Sequence, residues 1–414
     1  MTQATLSTRP AIRFPLAVII ASGCVLAMIS FGVRASAGLF TIPITESNGF
    51  GRDVYGLAFA IQNLVWGLTQ PISGGLADRY GSAKVIAVGG VIYAVGTLGM
   101  ALFSGAGLFT LFAGVISGVG IATAAFAIVM AAFGRAVPPE KRPFVFGIAT
   151  AASSAGQFVF APLGQALINA VGWQTALIYF SLILLLIIPL SIPLQGKAED
   201  PESQGPLLPT FTAFKRAFAH RSYVFLVLGF FTCGFHLAFV TVHMPAYLVE
   251  CGLSPTVGSW ALGLIGLFNI VGSLGSGWLA SRMPKQILLA SIYLSRAIVT
   301  ALFLLLPVTE FTAYTFAAVT GLLWLATVPP TASLVSNFFG PRYLGMFYGT
   351  AFLSHQVGSF FGVWLGGVVF SMTGGYDLVW YLGILLGLAS AAIHLPINDL
   401  KVANFERPLT APAQ

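Results

Sequence analysis

Residues 31–43 read FGVRASAGLFTIP, and residues 233–245 read CGFHLAFVTVHMP. Gly32, Arg34 and Pro43 fall on Gly234, His236 and Pro245, each pair 202 positions apart. The same separation relates Gly147, Gly156 and Gly164 to Gly349, Gly358 and Gly366. The stretch GGLADRYG (74–81) faces GSGWLASRMP (275–284), with Arg79 over Arg282 after one inserted residue. Chance can produce one such match among glycine-rich segments. Three sets at nearly one separation mark a parallel internal repeat, and in transporters parallel repeats enclose a central site at their interface.

The repeated unit is apolar. Of 414 residues, 57% are hydrophobic and 7% charged, where soluble domains carry about 25% charged residues. A soluble enzyme is excluded on that ground. Twelve apolar stretches, near 15–42, 54–77, 83–104, 107–133, 143–170, 173–194, 222–249, 256–280, 285–306, 311–337, 343–371 and 376–396, each approach the roughly 20 residues a bilayer crossing needs. In lipid every backbone polar group needs an internal partner, so these are expected to be helices. The expected fold is an all-α membrane protein of two pseudo-symmetric six-helix halves. Residues 1–194 form the first half and 222–414 the second with a short tail. The proline-bearing polar interval 195–221 is the linker.

The net charge of +7 is a topology signal rather than a nucleic-acid signature. With the N-terminus inside, sixteen of the 19 basic residues fall on inside segments and only Arg52 on an outside one. The positive-inside rule then puts both termini and the linker in the cytoplasm. A bacterial inner membrane and a monomer are the expected setting. The first apolar run is too long for a cleavable leader and reads as the first span. Cys24, Cys233 and Cys251 are too scattered for a disulfide framework or metal site and are expected free and buried. No cofactor, metal or nucleic acid is expected.

With twelve spans, a central linker and GGLADRYG, the chain resembles the major facilitator superfamily over nearly its whole length. Gly74, Asp78, Arg79 and Gly81 match that family's loop motif, whereas Ser82 and Ala83 depart from it before Lys84. The resemblance implies a gating role for Asp78 and Arg79. Otherwise they are a turn and a surface ion pair worth ~0–1 kcal/mol. FGVRASAGLF (31–40) and LSHQVGSFFGVWLGG (353–367) are similar to the first and eleventh spans of bacterial monocarboxylate-porter-like members. That likeness implies that Arg34 holds a substrate carboxylate. Two family features are missing. The eighth span has no acid-plus-arginine pair, and no acidic signature precedes the first span.

All twelve acidic residues lie outside the spans or at their ends, which leaves Arg34, Arg296, His236, His243 and His355 as ionisable groups within them. A mid-membrane arginine costs about 2.5–3.5 kcal/mol on insertion scales and usually faces a cavity. It cannot shed its proton, and its fork suits a carboxylate. With no internal carboxylate, the cargo is the natural counter-ion. The alternative for Arg34 is backbone carbonyls, water and amides such as Gln62 or Asn63. His236 shares Arg34's repeat position, and a histidine can carry a proton near neutrality. The bland alternative for each histidine is packing. Gln62, Asn63, Gln157, Asn269, Gln356 and Arg296 complete the candidate substrate-binding set, each amide being equally suited to joining helices.

The function expected is secondary transport of a small organic anion, a monocarboxylate first, by alternating access and proton-coupled symport. Exchange and uniport stay open. The rival is a multidrug or metabolite exporter, or a carrier of a larger anion such as a siderophore. The fourth-span stretch AGVISGVGIA has an exporter's glycines without its arginine, and Gly147, Gly156, Pro162 and Gly164 meet the fifth-span pattern in part. A receptor or scaffold that moves nothing is the third class.

Overall fold

The computed structural model describes residues 14–124, 126–138, 141–196, 208–340, 343–400 and 405. Among them every regular element is helical. Eleven helices are long and apolar enough to cross a bilayer: Leu16–Asn48, Ser82–Leu102, Ala106–Ala136, Val145–Val171, Trp173–Leu194, Arg221–Glu250, Pro255–Ala280, Lys285–Leu305, Glu310–Phe339, Leu344–Thr373 and Asp377–His394. The 29-residue helix Arg52–Tyr80, with charges at both ends, completes twelve spans, numbered here in chain order. The fifth begins at Arg142.

Of the expected linker, 197–207 lies outside the described residues, as do 1–13 and 406–414. The rest is not all loop, because Thr210–Ala219 forms a helix on one end of the bundle, the linker face. The other end is the far face.

Interruptions in three of the spans are bridged by side-chain hydrogen bonds. In the first, Pro43 cannot donate to the Leu39 carbonyl, and the chain tightens into a 3-10 turn at Ala37–Phe40 before resuming at Thr41. The Ala37 carbonyl accepts from Tyr55 Oη (2.6 Å), and Thr41 Oγ1 donates to the Val242 carbonyl (3.2 Å). In the fourth, a π-helical stretch spans Thr110–Ile116, and its Ala113 carbonyl accepts from Gln62 Nε2 (2.7 Å). Such bulges free carbonyls that side chains then satisfy.

The tenth span stops at Leu323 and restarts at Val328. Arg296 donates to the carbonyls of Leu323 and Trp324. Asn269 Oδ1 accepts from the Leu325 amide (2.9 Å), and Ser276 donates to the Ala326 carbonyl. Cys233 Sγ meets Thr327 Oγ1 at 3.2 Å. In low dielectric each group left unpaired costs about 1–3 kcal/mol, so three neighbouring spans hold this break open.

Besides the first–seventh contact at Thr41 and Val242, the two halves meet along two seams. Second and eleventh spans meet from Asp53–Ser371 near the far face down to Trp66–Phe352 at mid-depth (ring centroids 5.4 Å). Fifth and eighth meet from Phe158–Trp260 down to Ser154–Asn269. Glycines let backbones approach within these zones: a Cβ on Gly56 would lie 2.9 Å from the Val363 carbonyl, and one on Gly266 2.6 Å from the Ser154 carbonyl. Beyond mid-depth the second–eleventh seam parts, whereas Gly147 of the fifth span still lies near Leu274 of the eighth. A Cβ on Gly74, Gly75, Gly345 or Gly349 would have no neighbour within 4 Å. The bundle is therefore shut at the far face and parted between the second and eleventh spans at the linker face.

Candidate functional site

Arg34 sits near the middle of the first span, one turn before its interruption. Its Nη2 donates to Asn63 Oδ1 (2.6 Å), and Asn63 is itself pinned by Nδ2 donating to the Phe59 carbonyl (2.8 Å). The guanidinium lies over the Trp66 ring, 4.6 Å from its centroid. Its Nε is buried without a partner. The described residues hold two ion pairs, Arg52 with Glu250 and Lys285 with Asp399, and neither reaches Arg34. A full positive charge thus stands at mid-depth with one amide acceptor, one aromatic face and a donor to spare.

A ladder of rings carries this site across the seam. Trp66 meets Phe352 edge-on, and Phe352 stacks on His355 at 5.7 Å with planes 8° apart. His355 Nδ1 lies 3.1 Å from Gln356 Oε1. With that oxygen as acceptor, Nδ1 carries the proton and Nε2 is left as the basic nitrogen. Gln356 packs over Gly67 of the opposing half. Arg34, Asn63, His355 and Gln356 are thereby gathered around one mid-membrane locus, with Trp66 and Phe352 between them.

The remaining candidates lie elsewhere. Gln62 turns into the first half to reach Ala113, as adjacent helical positions point about 100° apart. Gln157 Nε2 donates to the Leu262 carbonyl (2.9 Å), and Asn269 Nδ2 donates to Ser154 Oγ (2.9 Å). Both therefore join the halves along the fifth–eighth seam. His236 Nε2 lies 2.7 Å from the Gly383 carbonyl, and His243 Nε2 lies 2.8 Å from that of Val363. Arg296 is 5% exposed and lines a cavity of about 30 Å³ inside the second half together with His236. Neither residue joins the Arg34 locus. Asp78 and Arg79 are exposed at the linker face, and neither makes an ion pair among the described residues.

The expectation of buried cysteines is corrected: all three are free, but only Cys233 is buried and Cys251 is exposed. Composition cannot distinguish a cysteine at a span's end from one within it.

Other features were not foreseen from sequence. Arg52, counted as the lone outside basic residue, ties the halves together through Glu250 and donates to Tyr376 Oη (3.0 Å). His394 is fully buried and stacks on Tyr293. A basic residue breaking the positive-inside pattern was the available signal for Arg52, whereas nothing in the sequence marked Phe352.

A family model described as Major Facilitator Superfamily matches residues 22–363. The chain is 25% identical over 382 residues to "Uncharacterized MFS-type transporter YcxA" of Bacillus subtilis, covering 89% of this chain and 92% of that one. It is 26% identical over 389 residues to "Monocarboxylate transporter 13" of Bos taurus (88% and 86% covered). It is 23% identical to "Oxalate:formate antiporter" of Oxalobacter formigenes (93% and 90%). Among solved structures it resembles a bacterial homolog of the human lysosomal transporter Spinster, inward-facing and unoccupied, with TM-score 0.74, 14% identity and 92% and 96% covered. A D-xylose–proton symporter gives TM-score 0.70 at 16% identity (92% and 97%).

Proposed function

This chain belongs to the major facilitator superfamily of membrane transporters, and from that premise we propose that it carries a small organic anion, a monocarboxylate first, by alternating access. It is a multi-pass membrane carrier and not an enzyme. The supporting observation is Arg34: a permanent charge at mid-depth, free of any carboxylate among the described residues, with an unpartnered Nε. Two relatives, named for monocarboxylate and for oxalate:formate transport, favour the same cargo chemistry.

In this reading Asn63 and Trp66 hold the guanidinium while its free edge takes the carboxylate in charge-assisted hydrogen bonds. The apolar rings of Trp66 and Phe352 face the cargo's hydrocarbon part. His355, with Nε2 basic, takes the coupling proton from the opposing half, which makes symport the expected mode. The linker face is cytoplasmic in a bacterial inner membrane, so the described state opens inward. Asp78 and Arg79 make no ion pair there among the described residues, in keeping with a gating loop that engages in the alternate state.

Uptake of labelled short-chain monocarboxylates into proteoliposomes, with and without an inward proton gradient, tests this. Loss of a charge-assisted hydrogen bond of about 1.5–3 kcal/mol predicts that Arg34→Ala weakens uptake about 10- to 100-fold. His355→Ala abolishes stimulation by the gradient while leaving exchange of preloaded acid. Undiminished uptake in Arg34→Ala overturns the assignment.

A further inference from the structure

Each half contains a small cavity, and the two are repeat mates. The first, about 20 Å³, is lined by Arg34, Ala37, Tyr93, Thr97, Ser117 and Phe180, among others. The second, about 30 Å³, is lined by His236, Phe239, Arg296, Thr300, Thr320 and Gly383 at the corresponding positions. The first two pairs are 202 apart. The other four are 203 apart, the separation of Arg79 from Arg282. Leu177 and Trp380 are a further pair at 203. The arginine has changed places. It stands on the first helix of the first half and on the third helix of the second.

The second cavity holds more donors than acceptors. Arg296 Nη1 is buried and unpartnered, although the same guanidinium bonds the Leu323 and Trp324 carbonyls through Nε and Nη2. Trp380, 2% exposed, lines the cavity, and its Nε1 is also buried with no partner. The hydroxyls of Thr300 and Thr320 have no hydrogen-bond partner among the described residues. His236 donates through Nε2 to the Gly383 carbonyl, which leaves Nδ1 as a weak neutral acceptor that cannot balance the guanidinium's charge. Phe239 and Phe316 complete the wall.

The helix end that Arg296 caps offsets about half a unit of its charge. The remainder has no carboxylate to meet, because the ion pairs of the described residues involve other groups. A volume of about 30 Å³ suits one or two water-sized particles.

We propose that the second half binds one chloride-sized monovalent anion at Arg296 and Trp380, separate from the transport site at Arg34. The anion neutralises the guanidinium and accepts from the indole and the threonine hydroxyls. By fixing Arg296 it fixes the break in the tenth span, whose Leu325 amide is tied through Asn269 to Ser154 of the first half.

The test is thermal unfolding of the purified full chain in gluconate buffer at constant ionic strength, titrated with chloride and then bromide. A saturable rise in midpoint with either halide is expected, since a ligand bound only to the native state stabilises by mass action. Trp380→Phe keeps the ring's bulk and removes one donor, so the apparent halide dissociation constant rises about tenfold. Arg296→Met removes the response altogether. Should it fail to fold, because it also releases the tenth-span carbonyls, Thr300→Val supplies a second weakened variant. Arg34→Gln retains the full halide response. A wild-type midpoint indifferent to halide shows that the cavity holds water only and overturns the proposal. So does a response lost in Arg34→Gln yet unchanged in Trp380→Phe.

Discussion

Arg52, at the start of the second span, ion-pairs with Glu250, at the end of the seventh, and closes the far face across the two halves. The pair does not stand alone. Arg52 also donates to Tyr376 Oη and lies over the Phe370 ring at 3.7 Å. Burial pushes the Tyr376 phenol up to about 12, against the pull of Arg52, so it stays a neutral acceptor at ordinary pH. Glu250 is about half-exposed, which limits the pair to roughly 1 kcal/mol. Arg52→Gln and Glu250→Gln are each expected to raise the far-face-open population about fivefold. Spin labels at the far-face ends of the first and seventh spans would read that population. Because one contact is removed twice, the double variant should gain little over either single one.

Cys251 offers a native reporter beside that gate. It is exposed, whereas Cys233 is buried. Partial burial, with the nearby Asp377 and Glu250 charges, holds its thiol above the ordinary range, opposed by a hydrogen bond with Tyr247. The thiolate is the reactive form. A raised value means little thiolate near neutrality and a labelling rate still climbing above about pH 8.5, where an ordinary thiol begins to level off. Maleimide labelling of Cys251 from outside the vesicle should show that late rise. Labelling that levels off earlier would refute the shift.

Asn269 links three elements: it accepts from the Leu325 amide in the tenth-span break and donates to Ser154 of the opposing half. It is fully buried. Asn269→Ala leaves a buried amide unpaired, at a cost of about 1–3 kcal/mol. A lower unfolding midpoint is expected. Ser154→Ala removes only the inter-half bond and should cost less, which separates support of the break from attachment of the halves.

The fold was legible because its signals are long. Twelve apolar stretches and a repeat visible in glycines, Arg34/His236 and the Arg79/Arg282 loops each integrate over many residues. The site was legible only where one residue breaks a physical rule by itself. A lone mid-span arginine does so, which is why Arg34 stands out. Amides do not, because helix-joining and cargo contact demand the same chemistry. Gln62, Gln157 and Asn269 have the former role in this structure. His236 carried Arg34's repeat position, yet its cavity mate is Arg296 from another helix. Repeat arithmetic on the first span alone could not reveal that exchange. Phe352 was invisible because a phenylalanine in an apolar helix violates nothing.

Gly74, Gly75, Gly345 and Gly349 pose the last question. A helical glycine costs about 1 kcal/mol relative to alanine, and elsewhere along these two spans glycines repay that by close packing. Gly56 and Gly67 face the eleventh span, and Gly367 faces the second. The four at the linker face touch nothing in the described state. Under the proposed alternating access, close approach there belongs to the state in which the linker face shuts and the far face opens. Gly349→Ala should then act with opposite signs on stability and transport. In the described state it adds helix propensity without a clash, and the unfolding midpoint rises slightly. In the shut state the new methyl obstructs the seam, so turnover falls, and Gly349→Leu should stop it while leaving the fold intact. Equal turnover in wild type, Gly349→Ala and Gly349→Leu would show that this surface never closes.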